Sequence, residues 1–409
     1  MNIVLEPGAA ALLDELHRAG FGAYAVGGCV RDSLLGLAPH DWDLCTAARP
    51  GQVMKLFGED RCIPTGLQHG TVTVKRDEKL YEITTFRTEG RYSDGRHPDS
   101  VAFVPDLRED LARRDFTINA MAYSAEEGLC DPFGGQEDLA RGVVRAVGEP
   151  LRRFGEDALR ILRLYRFAAR FGFAIDEATE AAAKQLAPHL DCVSAERIEE
   201  ELNKLLAAPQ PGAYLEPEVL AFVLPELPPE ELTKARRRID ALPAGTEQVS
   251  ARWAALLLPL GETGARKALK RLKCSNARID GAAALVRECG EKTPDALDKC
   301  DLRLQAKRLL GKYDLHTVQQ LTALWTALAP EEKASFDALQ AEAEVLTAQG
   351  TCCRISQLAV NGRDLMAAGA APGPGLRRVL EALLEEVITG RLPNEKTELL
   401  AFAAGFSAS

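Results

Sequence analysis

The chain has 409 residues, 46% of them hydrophobic and 27% charged, which is the composition of a globular protein with more chain than one core organises. No apolar run approaches the roughly 20 residues that span a bilayer, and residues 1–10 lack the basic start and long apolar core of a secretion signal. The formal net charge of −10 argues against a polyanion partner only as an average. Arg145, Arg152, Arg153, Arg160, Arg163 and Arg166 crowd one stretch, while Glu196, Glu199, Glu200 and Glu201 concentrate acid elsewhere. The ten cysteines are scattered without a C-x-x-C pair, so the expectation is reduced thiols, a cytoplasmic protein and no zinc knuckle.

In chain order, the first informative element is a short apolar strand over Ala23–Val26 that runs into Gly27-Gly28. Without a Cβ, backbone at Gly28 can approach a phosphate closely, and Arg31, one turn on, can pair with it. Asp41 and Asp43 follow. Placed on a strand, this spacing predicts both carboxylates on one face, with Trp42 on the other. Such a pair can hold two Mg²⁺ ions, one beside an attacking hydroxyl and one beside a leaving pyrophosphate.

Residues 70–74 and 80–86 alternate around Arg76-Asp77-Glu78 and predict a hairpin. Glu82 lies in its second arm and is the candidate third catalytic carboxylate; its plainer reading is an exposed position on an alternating strand. A helix is predicted over 111–123. The polar, glycine-bearing run between Arg87 and Val104 predicts a mobile loop.

From about residue 149 the strand signal fades, and helices are predicted over 158–171, 194–206, 251–260, 317–328 and 376–388. Ser194 is the expected cap of the second of these. Asp157 and Arg160, three apart, are expected to share a helix face. A carboxylate accepts from an exocyclic amine and a guanidinium donates to ring acceptors, so the pair favours cytosine and adenine over uracil and guanine. An isolated Asp-x-x-Arg is most often a surface ion pair. Here Arg163 and Arg166 continue the stripe as a phosphate-binding row would. After Arg170 the histidines are His189 and His316, too few for an HD-type phosphohydrolase.

Four segments, in order, resemble the motifs of the class II tRNA nucleotidyltransferases of the polymerase β superfamily. They are Gly27-Gly-Cys-Val-Arg-Asp with Asp41-Trp-Asp43, Arg113-Arg114-Asp115-Phe-Thr-Ile-Asn-Ala, Asp131-Pro-Phe-Gly-Gly, and Glu156-Asp157-Ala-Leu-Arg160-Ile-Leu-Arg163. The resemblance implies an α+β fold: a polymerase β-type head at 1–140, a helical neck at 141–206, a body at 207–330 and a tail at 331–409. It implies that Gly28 and Arg31 contact nucleotide phosphates, that Asp41 and Asp43 bind Mg²⁺, and that Arg114, Asp157, Arg160, Arg163 and Arg166 bind the incoming nucleotide. The implied substrates are CTP, ATP and the acceptor arm of tRNA.

The run around His69 resembles the CCA-adding branch, with His69 structural. The polar loop, which the family links to the switch from CTP to ATP, favours full CCA or A addition over CC addition. The competing outputs are poly(A) synthesis, C- or A-restricted addition, a nonenzymatic RNA-binding protein on a decayed head, and an antibiotic-modifying nucleotidyltransferase. Intact Asp41, Asp43, Arg114, Asp157 and Arg160 count against decay.

Overall fold

All four residues of β1 (Ala23–Val26) are buried, which places this strand inside a sheet and not at its edge. The computed structural model describes residues 3–90, 100–291 and 301–406, divided into one unit, Met1–Pro225, and a second, Glu226–Ser409. In the first unit α1 (Pro7–Arg18) precedes β1 and α2 (Gly28–Leu34) follows it directly. Next come β2 (Leu44–Thr46), α3 (Pro50–Phe57), β3 (Cys62–Gly66), β4 (Thr71–Arg76) and β5 (Lys79–Thr85). After β6 (Arg87–Glu89), β7 (Val101–Phe103) and α4 (Leu107–Ala112), the chain re-enters the sheet as β8 (Ala122–Ser124) and β9 (Gly128–Cys130). The unit ends with α5 (Gly135–Arg141), β10 (Val143–Val144), α6 (Pro150–Glu156), α7 (Leu159–Phe171), β11 (Ala174–Ile175), α8 (Glu177–Leu186), α9 (Ala195–Leu206) and α10 (Pro217–Val223).

The main sheet runs β3-β4-β5-β2-β1-β8-β9. Its neighbours are antiparallel except β2 and β5, which are parallel in the register Leu44↔Ile83, Cys45↔Thr84 and Thr46↔Thr85. The expected hairpin is present as β4 and β5. Its turn residues Asp77 and Glu78 both have positive φ, 49° and 62°, as a tight two-residue turn requires. Tyr24, Val26, Cys45, Phe86, Leu111 and Ala122 share one buried cluster on the sheet.

The helix expected over 111–123 is a correction. Only α4 is helical there, and it ends at Ala112; Phe116 is extended (φ −126°, ψ 151°), and a 3-10 turn at Thr117–Asn119 leads into β8. Phe116, Ile118, Ala120, Met121 and Ala122 are all fully buried, so their apolar spacing reflects a segment threaded through the core and not one face of a helix. The expected mobile loop falls largely on 91–99, outside the described residues. Its flanks, β6 and β7, pair antiparallel from Arg87↔Phe103 to Glu89↔Val101. Ser194 does precede α9, but its side chain makes no capping bond.

The second unit is helical: α11 (Leu232–Asp240), α12 (Val249–Leu257), α13 (Gly261–Arg271), α14 (Asn276–Glu291), α15 (Leu302–Lys312), α16 (Leu315–Leu328) and α17 (Lys333–Ala348) are followed by α18 (Gly362–Ala367), α19 (Pro374–Ile388) and α20 (Lys396–Phe406). Trp253, Leu269, Leu324 and Phe336 are buried in its first part. Leu365, Leu383, Val387 and Leu399 form a separate cluster among the last three helices. Among the described residues no helix is long and apolar enough to cross a membrane.

Candidate active site

The site begins at the end of β1, where the chain must turn sharply into α2. Gly27 makes that turn with φ +78°, and its N–H donates to Met121 O on the approach to β8. A Cβ at Gly27 would lie 2.8 Å from Arg114 Nη1, so the absent side chain leaves room for a guanidinium against the turn. On the other side, Arg31 reaches back along α2 until its Nη2 lies 3.7 Å from where a Gly28 Cβ would stand. Two guanidiniums thus flank the Gly27-Gly28 turn.

Both are held by acids outside the residues singled out from sequence. Arg31 is buried, with Nε donating to Asp32 Oδ1 at 2.8 Å and Nη1 to Asn119 Oδ1, and its guanidinium lies over Phe167 and Phe171. Asp32 also accepts from Arg170 Nη2 at 3.0 Å. Arg114 faces the fully buried Asp110 across 3.5 Å, and Asp110 also takes Arg113 Nη2 at 2.9 Å and the Arg87 N–H. Asp32 and Asp110 each lie within four residues of an arginine already singled out, and that proximity was the available signal.

The expected strand carrying Asp41 and Asp43 is corrected. β2 begins at Leu44, and both aspartates belong to its irregular lead-in. The cause lies in the neighbour: Val26 N–H bonds Asp43 O at 3.0 Å, and then Gly27 takes β1 away, leaving Trp42 and Asp41 nothing to pair with. Asp41 is 81% exposed and sits 3.0 Å from His40 Nδ1. Asp43 is fixed through its backbone, which also accepts from Cys29 Sγ at 3.8 Å. Burial, and then the Asp43 charge, push the Cys29 thiol up to about 11, so it stays protonated.

Glu82 is exposed on β5 between buried Tyr81 and Ile83, as an alternating strand requires. The parallel register Leu44↔Ile83 brings the preceding residues, Asp43 and Glu82, alongside one another. The Asp43 carboxyl is raised above its ordinary range by burial, then by the Glu82 charge, with Asp41 adding to this and Arg114 opposing it. Glu82, Asp41 and Arg114 are therefore each within electrostatic reach of Asp43. Among the described residues no group of three or more His, Cys, Asp or Glu side chains has closed into metal-holding geometry.

Asp157 and Arg160 do not share a helix face, which corrects the sequence reading. Asp157 is extended (φ −146°, ψ 106°) between α6 and α7, and its Oδ1 caps Leu159 N at 3.0 Å. Its carboxylate is paired with Arg197 on α9, at 2.7 and 3.3 Å. Arg160 is buried and committed to Glu156 Oε2 at 2.8 Å and to the carbonyls of Arg153 and Arg113 at 3.0 and 3.1 Å.

Arg163 and Arg166 do lie along α7 but face inward to acids. Arg163 binds Asp115 at 2.6 Å, Arg166 binds Glu201 at 2.5 Å, and both lie over the Phe167 ring. Burial alone would raise the Asp115 carboxyl, yet Arg163 and the Asn119 amide hold it well below the usual carboxylate range. Asn119 is the adapter here: its oxygen takes Arg31 while its NH₂ gives to Asp115 at 3.0 Å. One buried network thus runs from Arg31 through Asn119, Asp115 and Arg163 to Glu201 and Arg166.

The Asp131-Pro-Phe-Gly-Gly segment supports this network from below. Asp131 caps α5 through the N–H groups of Gly135 and Gln136 at 2.7 and 2.8 Å, and Gly135 presses on the Thr117 carbonyl. His69 lies in a 3-10 turn after β3, and its carbonyl accepts from the Arg87 guanidinium.

Three family models match the chain: a poly A polymerase head domain over residues 23–145, an RNA- and SrmB-binding site of polymerase A over 172–228, and tRNA nucleotidyltransferase domain 2 over 245–403. The chain is 38% identical to a CCA-adding enzyme of Limosilactobacillus fermentum, covering 96% of this chain and 95% of that one. It is 39% identical to a CCA-adding enzyme of Latilactobacillus sakei, covering 96% of each. Its structure is similar to the crystal structure of the Bacillus stearothermophilus CCA-adding enzyme in complex with CTP, with a TM-score of 0.81 and 33% identity over 99% of this chain and 98% of that one. A Thermotoga maritima CCA-adding enzyme complexed with tRNA shares the fold, with a TM-score of 0.70 and 22% identity over 98% of this chain and 96% of the other.

Proposed function

The chain belongs to the CCA-adding enzymes, a family of tRNA nucleotidyltransferases, and we propose that it builds the 3′-terminal CCA of tRNA from CTP and ATP without a nucleic-acid template. The observation that carries this reading is the Gly27-Gly28 turn flanked by Arg31 and Arg114, with Arg114, Glu82 and Asp41 each within electrostatic reach of Asp43. A triphosphate needs the first group, and a hydroxyl attacking phosphorus needs the second. In this reading the tRNA 3′ hydroxyl attacks the nucleotide α-phosphate and pyrophosphate leaves.

The donor chemistry fits Mg²⁺: hard carboxylate oxygens, with burial and then the Glu82 charge raising the Asp43 carboxyl. Asp41 and Asp43 would hold the metal, with Glu82 beside them as the third catalytic carboxylate. Bound there, Mg²⁺ would supply charge neutralisation at the phosphates and acidify the attacking hydroxyl.

Gly28, Arg31 and Arg114 would orient the phosphates. Arg163 and Arg166 would serve nucleotide binding from α7, and Asp157 and Arg160 would read the base. Since Arg197 pairs with Asp157 and Glu156 with Arg160, base reading would begin with exchange of those partners. The reaction would belong to the head, 1–140, and the neck, 141–206. The body, 207–330, and tail, 331–409, would hold the acceptor arm by shape and phosphate contacts in the cytoplasm.

An extension assay tests the reading, using tRNA that lacks its 3′ end, Mg²⁺, and CTP, ATP or both. Two additions with CTP and a third only with both nucleotides are expected. A long ladder with ATP would reassign the protein to poly(A) synthesis, and no extension would remove the enzymatic reading.

A further inference from the structure

Arg163, Arg166, Phe167, Arg170 and Phe171 fall at helical spacing along one stripe of α7, and Arg31 of α2 lies against it. Phe167, 4% exposed, has three guanidiniums over its ring: Arg166 at 3.8 Å from the centroid, Arg31 at 5.2 Å and Arg163 at 5.4 Å. Phe171 lies parallel to it, with 3° between the ring planes, and takes Arg31 and Arg170, each at 4.9 Å. Phe116 meets Phe167 edge to face at 5.8 Å, which fixes the orientation of the ring. From sequence Phe167 was no more than one apolar position on the helix.

The donors of Arg31 show what the ring is for. In the plane of the guanidinium, Asp32 Oδ1 takes Nε at 2.8 Å and Nη2 at 2.7 Å, and Asn119 Oδ1 takes Nη1. Three of the five N–H groups of an arginine are thereby engaged, and one on each terminal nitrogen remains. Nη2 is the atom that stands 3.7 Å from the Gly28 Cβ position, so this remaining fork lies beside the turn. A second carboxylate here would take the fork and cancel the charge that a phosphate needs. A ring face attracts the cation through its quadrupole, uses no N–H and leaves the charge whole. The four guanidiniums of the stripe and α2 share three carboxylates, Asp32, Asp115 and Glu201, and the rings add attraction without a fourth.

We propose that Phe167 is a positioning residue for the triphosphate: its ring face holds the Arg31 guanidinium in place while leaving its charge and its outer N–H fork for the nucleotide phosphates. The proposal rests on the nucleotidyl-transfer reading given above, in which Arg31 orients those phosphates. Since every nucleoside triphosphate carries the same phosphates, Phe167 serves CTP and ATP alike and takes no part in choosing the base.

The test is steady-state nucleotide addition by full-length protein carrying Phe167→Leu, or mono-, di- or trifluorophenylalanine at position 167. CTP is supplied with tRNA lacking its 3′ end, and ATP with tRNA ending in CC. Phe167→Leu should raise KM for both nucleotides by about 3- to 10-fold, with kcat, KM for tRNA and rejection of UTP near wild type, because binding lost equally from ground and transition states appears in KM. Fluorine draws charge from the ring face while nearly keeping its shape, so KM for both nucleotides should climb with each fluorine, a trend that packing does not produce. A flat KM across the fluorinated series, whatever Phe167→Leu does, reduces Phe167 to packing and overturns the proposal. Relaxed rejection of UTP with unchanged KM for CTP and ATP assigns the ring to base reading and overturns it as well. Wild-type protein that extends no tRNA removes the functional reading itself.

Discussion

Asp43 and Asp115 belong to the same unit and respond oppositely to its fold. The Asp43 carboxyl is raised by burial and by Glu82, so the fold favours its protonated form. Its contribution to stability is present below the unfolded pKa and is lost as pH rises through the folded one. At neutral pH the acids repel, and a bound divalent cation relieves that. In metal-free protein, Glu82→Gln should lower the Asp43 titration toward the ordinary aspartate value near 3.9, read by carboxyl-carbon NMR. An unchanged titration would mean that the two side chains do not interact. The Asp115 carboxyl is held low by Arg163 and Asn119. Its contribution is complete above the unfolded pKa and is lost only as pH falls through the depressed folded value. Asp115→Ala should cost about 1–3 kcal/mol at neutral pH, since Arg163 and the Asn119 amide lose a buried acceptor while Arg163 keeps Glu201 at 3.8 Å. The difference from wild type should shrink in acid as the wild-type carboxyl protonates, and thermal melts across pH follow both effects.

At the scale of elements, what could be read from sequence was whatever depends on local pattern. The hairpin of β4 and β5, the Gly27-Gly28 turn, α7, α12, α16 and α19 all follow from spacing and turn residues, and the structure contains them. What depends on partners was hidden. Whether Asp41 lies on a strand is decided by where β1 turns away, and whether residues 111–123 form a helix is decided by burial on every side. Arg160, Arg163 and Arg166 were legible as a helical row, but not that Glu156 on α6, Asp115 after α4 and Glu201 on α9 hold them. The glycine pair at the start of α5 shows the same division. Gly134 has φ +75° and open space around it, whereas Gly135 abuts the Thr117 carbonyl. Gly134→Ala should cost about 1 kcal/mol, from backbone strain. Gly135→Ala should cost more, about 1–3 kcal/mol, because backbone must move. Chemical denaturation of both variants gives the comparison, and equal costs would mean that the contact with Thr117 yields freely.

Taken whole, the molecule joins two units built on different topological plans. In the first, β1 pairs with β8 through Ala25↔Tyr123 and Val26↔Ala122, and β2 pairs with β5 across the intervening α3, β3 and β4. In the second, helices adjacent in sequence, such as α13 and α14, pack against each other. Chains rich in distant pairings search longer before contact compensates the entropy of closure, and local helical pairings form sooner. The part of the chain made first is therefore the slower to fold, and a finished helical unit can coexist with an unfinished head. Three tryptophans make this visible: Trp42 in the first unit, Trp253 and Trp325 in the second. A W253F/W325F variant, refolded from denaturant in a stopped-flow fluorimeter, should report a slower phase than a W42F variant. The protein would then spend an interval after synthesis with its helical unit built and its sheet still open, an order that exposes unpaired strand edges to chaperones before any nucleotide can be used.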